Sequence, residues 1–432
     1  MDTITSATAT IAASDAACAG VLPGSLSKCP PSPSLSSSSA NADQTASTSP
    51  TLCEHSEIQE EDTKVAGAFS REITLVDISP EDLDALQELG DRASETIECL
   101  RINRCRMDGS TFAALVDALC THALPRLHTV DISQNRVGGA QAGIALAKLL
   151  AHAKNVRYLS LGWNQLALAD LAALATCGSG THGIKYLDLR ANPLGISPNN
   201  LRKKSKKHAD SAVDLDAGAD AWIGEFVAAM PSLTHLLMAQ ATIDDSLLVA
   251  FIHALTEQRA SLEYIGLEWL GLGGRLATVR SLVSGLVPSN PAMPPRPLHL
   301  NLAANNLGDS GVKIIAESGA VLSSLTLACN FITERGTRML AEWLPSSGLT
   351  ALELSDNYFG DQGILSLIST DNRHRSVESP YTQLTSLGLN SCCLGDASLR
   401  LLTDALACNW APLMSLRILR NNRMSPGAKV AL

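Results

Sequence analysis

The side chains of this sequence that could do chemistry are aromatic residues placed at fixed points of a short repeated motif. Five successive copies of the motif carry Tyr or His at the third position, and two of these copies carry Trp at the eighth. Aromatic anchors beside mixed charge are typical of protein-binding hot spots. The predicted partner-binding residues are Tyr158, Trp163, Tyr186, Asp188, Arg190, His235, Tyr264, Glu268, Trp269 and His299.

A purely structural role for the same rings stays open. Rings at equivalent positions of adjacent strands stabilise a sheet by cross-strand contact, without any partner. Replacing Trp163 and Trp269 by Ala separates the two roles, because only a binding role predicts loss of partner capture without unfolding.

The sequence contains no signature of the common catalytic sites. The patterns G-x-x-x-x-G-K-[ST], H-E-x-x-H and G-x-S-x-G are absent. The run Gly271-Leu-Gly-Gly274 is too short to cradle a phosphate, and the His and Asp residues are scattered over separate copies of the motif. We therefore expect no catalytic residue, no metal and no cofactor.

The motif that places these residues is L-x-x-L-x-L-x-x-N/C-x-L, repeated most often every 28–29 residues. Its L-x-L core alternates with period 2, which predicts a short strand with one buried face, and apolar residues at helical spacing follow. Clear copies start at Leu127, Val156, Ile184, Leu322, Leu349 and Leu384. Looser copies start at Ile97, Leu233, Leu262, Pro297 and Leu413, and a degenerate one at Ile73.

Two features of each copy have a predicted structural task. The Asn or Cys at the ninth position, such as Asn135 or Cys392, should satisfy backbone groups where the chain leaves the strand. Asp309, Thr333 and Asp361 are predicted to cap the helices that begin beside them.

The unit length and the G-x-x-G helix starts, such as Gly308-Asp309-Ser310-Gly311, resemble the ribonuclease-inhibitor-like class of leucine-rich repeats. That class includes ribonuclease inhibitor, the Ran GTPase-activating protein and the repeat domains of NLR receptors. The resemblance implies an α/β fold, a right-handed solenoid or horseshoe with parallel strands on the concave face and helices on the convex face. Since members share a scaffold and not a chemistry, it implies a non-catalytic protein-binding scaffold or adaptor.

Two other functions stay open. The runs Asn135-Arg136 and Asn422-Arg423 are loosely similar to the Asn-Arg turn of the Ran GTPase-activating protein, and Arg136 and Arg423 would then contact a small GTPase. The chain lacks that family's strongly acidic C-terminal tail. The second alternative is a regulatory subunit of a larger signalling complex.

Composition divides the chain into three parts. Residues 1–68 are rich in Ser, Thr, Ala and Pro and are predicted to be a disordered tail. Residues 69–96 are predicted to form an N-terminal cap or degenerate repeat, and residues 97–432 a solenoid of about eleven units. Insertions are expected near 197–220, 286–297 and 370–383. The first of them holds a basic cluster, Lys203, Lys204, Lys206 and Lys207, which indicates possible nuclear import.

The charge balance and the cysteines point to a cytoplasmic protein without nucleic-acid or membrane partners. The formal net charge is -10, so the chain lacks the basic surface that binds nucleic acid. The eleven cysteines, an odd number, are expected to be reduced. The sequence ends at SPGAKVAL, within an expected helix, so we expect a second copy or a partner to cover that end unless the chain is incomplete.

Overall fold

The structure, a computed structural model, divides the chain into two units, Met1–Lys64 and Val65–Leu432, and its described residues belong to the second. It describes residues 72–76, 96–121, 123–175, 183–195, 219–257, 262–287, 298–368, 383–408, 410–421 and 423–425. The predicted disordered tail, the basic cluster at 203–207, nearly all of the three predicted insertions and residues 426–432 lie outside these ranges.

A parallel sheet of twelve strands runs through the described part of the chain, and its spatial order is the order of the sequence. The strands are short, and from Thr129 on each covers only the third to fifth positions of the motif. The strands are β1 Glu72–Val76, β2 Cys99–Asn103, β3 Thr129–Asp131, β4 Tyr158–Ser160, β5 Tyr186–Asp188, β6 His235–Leu237, β7 Tyr264–Gly266, β8 His299–Asn301, β9 Ser324–Thr326, β10 Ala351–Glu353, β11 Ser386–Gly388 and β12 Ser415–Arg417.

The register of the sheet matches the predicted repeat starts from Ile97 onwards. The third positions of successive copies pair directly, as Tyr158 does with Tyr186 and Ser324 with Ala351. The degenerate copy was placed wrongly. Glu72, not the third residue counted from Ile73, pairs with Cys99. That copy therefore starts three residues earlier, because cross-strand pairing rather than the apolar pattern sets its register.

Ten α-helices of the described residues connect the strands and cover one face of the sheet. Their apolar residues meet the buried leucines of the strands in a single continuous core. The helices are α1 Gly109–Leu119, α2 Ala140–His152, α3 Leu168–Ala175, α4 Ala219–Ala228, α5 Asp245–Glu257, α6 Leu276–Gly285, α7 Gly308–Glu317, α8 Glu334–Ser347, α9 Gly360–Ile368 and α10 Asp396–Ala407. The predicted architecture, an α/β solenoid with its strands on one face and its helices on the other, is confirmed.

The ninth-position asparagines form a buried ladder in which each asparagine ties its unit to the preceding one. Asn357 donates to the carbonyl of Leu327 in the preceding unit at 2.9 Å and to that of Leu354 in its own at 2.8 Å. Its Oδ1 accepts from the backbone N–H groups of Asn330 and Ile332 at 3.1 and 2.9 Å. These backbone groups would otherwise be buried without a partner, which is costly. The predicted role of the asparagines is confirmed.

Cysteine takes the ladder position in two units. The Cys392 thiol donates to the carbonyl of Leu354 at 3.2 Å, and burial raises its pKa to about 12. Cys105 is likewise buried and bonds to the carbonyl of Asn103 at 3.3 Å. Every cysteine in the described ranges is a free thiol.

The predicted helix caps are only partly right. Thr333 caps α8, as expected, by accepting from the N–H of Arg335. Asp309 instead accepts from the N–H groups of Thr333 and Gly336, one unit further along the chain. Asp361 does the same for Gly395. Stacking in parallel places the first turn of one helix beside the start of the next, so these carboxylates act between units.

The described helices contain no stretch that is both long and apolar enough to cross a membrane.

Candidate functional site

A column of stacked rings crosses four neighbouring strands, β4 to β7, on the face opposite the helices. The ring centroids of Tyr158 and Tyr186 are 4.3 Å apart and their planes differ by 12°. His235 follows at 6.0 Å from Tyr186 and 5.9 Å from Tyr264. These residues are direct cross-strand partners, so the spacing of the sheet sets the spacing of the rings. His299 is the next partner in register, but it is exposed beyond the end of this stack.

The tyrosine hydroxyls of the column are neutral hydrogen-bonding groups. Burial is the main cause that raises the pKa of Tyr158 and of Tyr186 above the ordinary value of a phenol. Both hydroxyls therefore keep their protons at neutral pH, and the hydroxyl of Tyr186 donates to that of Tyr158.

Arg190 is fixed in place by Asp188. Its Nε and Nη2 donate to the two carboxylate oxygens of Asp188 at 2.9 and 2.7 Å. The Asp188 side chain is only 2% exposed, whereas that of Arg190 is 41% exposed. The hydrogen bonds to Asp188 raise the pKa of Arg190. Asp188 is thus a positioning residue, and Arg190 is the member of the pair that a partner can reach.

Glu268 lies against the sheet within a small polar network. The Asn301 amide donates to Oε1 of Glu268 at 2.5 Å and lies 3.1 Å from the hydroxyl of Tyr264. A Cβ at Gly266 would come within 2.9 Å of Oε2 of Glu268, so the glycine makes room for this carboxylate. Burial raises the pKa of Glu268 above the ordinary value. Asn301 is not among the predicted site residues, although its fifth position in the unit after Glu268 places it on the same face.

Trp163 and Trp269 are the large exposed rings of the predicted site. They are 49% and 55% exposed, and both have left-handed backbone, with φ of 59° and 60°. The fold demands this conformation at the eighth position of all eleven units from Ile97 on, where φ lies between 52° and 60°. It does not demand tryptophan, since Ala191, Gln240 and Asp356 occupy the same position elsewhere. The two rings therefore contribute little to the core.

The two arginines predicted to contact a GTPase do not come together. Arg136 and Arg423 are both exposed. They belong to units nine steps apart in the sheet, which corresponds to about 40 Å. Asn135, which precedes Arg136, is buried in the ladder, where its amide donates to the carbonyl of Ile102 at 2.7 Å. A shared Asn-Arg site is thus not formed, and contact with a GTPase by either arginine stays a prediction.

A second aromatic pair was missed. Phe331 and Tyr358 stack at 5.9 Å on the turns that follow β9 and β10, and they are 55% and 62% exposed. Both occupy the tenth template position, directly after the ladder asparagine. Aromatic residues at one position in consecutive units were a readable signal, but the predicted site included only strand positions.

The described residues contain no group of three or more His, Cys, Asp or Glu side chains that could hold a metal ion. The site therefore consists of ring faces, hydroxyls, one fixed guanidinium and one part-buried carboxylate.

Comparison with known proteins agrees with the geometry of the repeats. The family described as Leucine Rich repeat matches residues 298–316 and 347–367. Ribonuclease inhibitor of Sus scrofa is 26% identical over 310 residues, which cover 68% of this chain and 64% of that protein. The chain is thus similar to leucine-rich-repeat proteins of the ribonuclease-inhibitor-like class.

Other leucine-rich-repeat relatives are longer than this chain. NACHT, LRR and PYD domains-containing protein 13 of Homo sapiens is 24% identical over 70% of this chain and 29% of its own length. Protein 14 of the same series and species is 30% identical over 57% of this chain and 22% of its own. The chain thus spans less than two thirds of each of these three relatives.

Solved leucine-rich-repeat structures resemble the chain at low sequence identity. A chain in the crystal structure of the Rad7 and Elc1 complex in yeast is 16% identical with a TM-score of 0.43, over 82% of this chain and 74% of that one. An internalin from Listeria monocytogenes is 17% identical with a TM-score of 0.37, over 80% and 93%.

Proposed function

We propose that this protein is a non-catalytic scaffold that binds another protein through the strand face of its solenoid, at the column of rings and the two tryptophans. The observation that carries the proposal is the exposure of Trp163 and Trp269 at a position where the fold accepts small or polar residues. Large exposed aromatic side chains are the commonest hot spots of protein interfaces.

The surroundings of the rings support binding rather than packing alone. Tyr158, Tyr186, His235 and Tyr264 are each half-buried, so part of every ring still faces solvent even though Tyr186 and His235 are stacked on both faces. Arg190 and Glu268 are held in fixed orientations beside them. Pre-organised side chains lower the entropy that association costs.

Affinity capture with the full-length chain tests this function. Wild type, the double variant Trp163→Ala/Trp269→Ala and the control Ile144→Ala are immobilised, and the retained proteins are quantified by mass spectrometry. Ile144 is a matched control because it is 64% exposed and lies on the helix face of the solenoid. Circular dichroism melting verifies that each variant is folded.

We expect a set of proteins that wild type and Ile144→Ala retain equally and that the double variant loses at least tenfold. Equal retention by the folded double variant would show that the strand face is not the binding surface, and the rings would then have only a structural role.

A further inference from the structure

The charges of the strand face are unevenly distributed along the solenoid. The third, fifth, seventh and eighth positions of the units starting at Leu127 to Leu384 carry five acids, one arginine and no lysine. Two arginines stand at these positions in the unit before them and two in the unit after. The acids are Asp131, Asp188, Glu268, Glu353 and Asp356; the flanking arginines are Arg101, Arg104, Arg417 and Arg420. The middle of the face is thus acidic and its two ends are basic.

Some of this charge is already neutralised within the face. Arg190 pairs with Asp188, and Arg417 reaches across Gly388 of β11 to pair with Glu353 at 2.5 Å. Glu268 and Asp356 form no such ion pair with a basic side chain of the described residues. Asp356 is exposed, and Glu268 lies next to the exposed ring of Trp269.

Trp269 and Glu268 together form a surface suited to a cation. A guanidinium or ammonium group is attracted to the face of an indole and to a carboxylate, and the attraction grows when water is partly excluded. Trp163 lies three strands away from Trp269, which corresponds to about 14 Å. The residues between the two tryptophans at the seventh and eighth positions are Arg190, Ala191, Ala239 and Gln240, and Arg190 is held in place there by Asp188.

We propose that the occupant of this face is an extended, basic protein segment that crosses the strands and places lysine or arginine side chains against Trp163, Trp269 and Glu268. This inference rests on the proposed function and adds the chemistry of the partner. A segment that runs from Trp163 to Asp356 crosses six inter-strand steps, or roughly 29 Å, which about nine extended residues span. Its basic side chains then meet Glu268 and Asp356 along one path.

The position of Glu268 supports a role that the fold itself does not need. Burial of the carboxylate disfavours its charged form, as the raised pKa of Glu268 shows, so the ionised side chain weakens folding. A cation bound beside Glu268 compensates the buried negative charge. Binding of a basic partner therefore removes the unfavourable free energy that the ionised carboxylate adds to the folded state.

Fluorescence anisotropy with three labelled dodecapeptides tests the proposal on the full-length chain. The probes are four repeats of Gly-Ser-Arg, of Gly-Ser-Gln and of Gly-Ser-Glu. The variants are Trp269→Ala and Glu268→Gln, with Tyr358→Ala and Glu342→Gln as matched controls. Tyr358 is an exposed ring on the turn beyond the end of the proposed path, three units from Trp269 along the chain's repeats but two residues from Asp356, so it tests whether any exposed ring suffices; Glu342 is an exposed carboxylate on α8, on the helix face.

We expect the arginine peptide to bind at least tenfold more tightly than the other two, and added salt to weaken it. Trp269→Ala and Glu268→Gln should each weaken it at least fivefold, while both controls leave it unchanged. Equal binding of the three peptides, tighter binding of the acidic peptide, or equal effects of controls and site variants would overturn the proposal.

The two proposals fail in different ways. If affinity capture depends on Trp163 and Trp269 but the arginine peptide has no preference, the face binds proteins of another chemistry and only this inference falls. If capture does not depend on the tryptophans either, the proposed function falls with it.

Discussion

The asparagine ladder and the aromatic column both run across the sheet at one residue per unit, yet they have opposite characters. In the ladder, Asn330 and Asn357 are fully buried and their amides are saturated by backbone groups. In the column, Tyr158 and Tyr264 are half-buried. The ladder recurs in most units, whereas the rings are confined to units in the middle. Side chains that recur in most units with all their hydrogen bonds made, such as the ladder asparagines, are needed by the fold. Side chains confined to a few units and part-exposed, such as the rings, are available for binding.

The largest effect is expected from breaking the ladder. Asn357→Ala leaves the N–H groups of Asn330 and Ile332 without their buried acceptor and should cost about 3 kcal/mol of unfolding free energy. Urea titration followed by circular dichroism measures the change. Asn155→Ala is the control, since this exposed amide makes one bond, to the carbonyl of Pro125, and should cost less than about 1 kcal/mol. An equal loss of unfolding free energy in Asn357→Ala and Asn155→Ala would show that the ladder asparagine is no more important for stability than an exposed one.

Removing rings from the face should affect binding and leave stability almost intact. Trp163→Ala and Trp269→Ala should each change the unfolding free energy by less than about 1 kcal/mol, because half of each ring is already in water. The double variant should lose at least tenfold in partner capture. A loss of unfolding free energy as large as that of Asn357→Ala would show that the tryptophans, like the ladder asparagines, have a structural role.

Glu268 predicts a pH dependence of stability with a defined sign. Because its folded-state pKa is raised above the unfolded value near 4.3, its favourable contribution is complete below that value and is lost as pH rises through the folded pKa. Glu268→Gln should therefore melt at a higher temperature than wild type at pH 7, and the difference should shrink towards pH 4.

Glu342→Gln on α8 serves as the comparison for that pH series, because its carboxylate is exposed. A melting difference at pH 7 that is the same for both variants would show that Glu268 is not strained by burial.

The smallest change is expected in the chemical labelling of Cys392, the cysteine that takes the place of a ladder asparagine. Burial and the raised pKa of Cys392, about 12, should keep this thiol unreactive towards iodoacetamide at pH 8, while the exposed Cys408 is alkylated. Peptide mapping by mass spectrometry reads both sites in one sample. Rapid labelling of Cys392 in the folded chain would mean that the ladder opens at this unit.

Much of the candidate site was readable from the sequence, because the repeat fixes which positions share a face. Tyr158, Tyr186, His235 and Tyr264 were aligned by counting template positions, and cross-strand pairing does bring them together. Asn301 was missed because it is neither aromatic nor charged, and the pair Phe331 and Tyr358 because it lies on the turns after the strands. Template counting gives the positions of all three, but their side-chain contacts appear only in the structure.

By itself, the sequence determined the repeat, the strand register from Ile97 onwards and the ladder, since periodic apolar residues can be buried in only one way when each unit packs on the next. Only the tertiary structure decided that Asp309 and Asp361 act on the neighbouring unit, that Glu72 sets the register of the first strand, and that Glu268 is held against the sheet. The physical reason is that these features depend on contacts between neighbouring units. The residues in contact are separated along the chain and meet only when the units stack. The rings of the column are fixed by both: the sequence places one in each unit of the column, and the sheet stacks them.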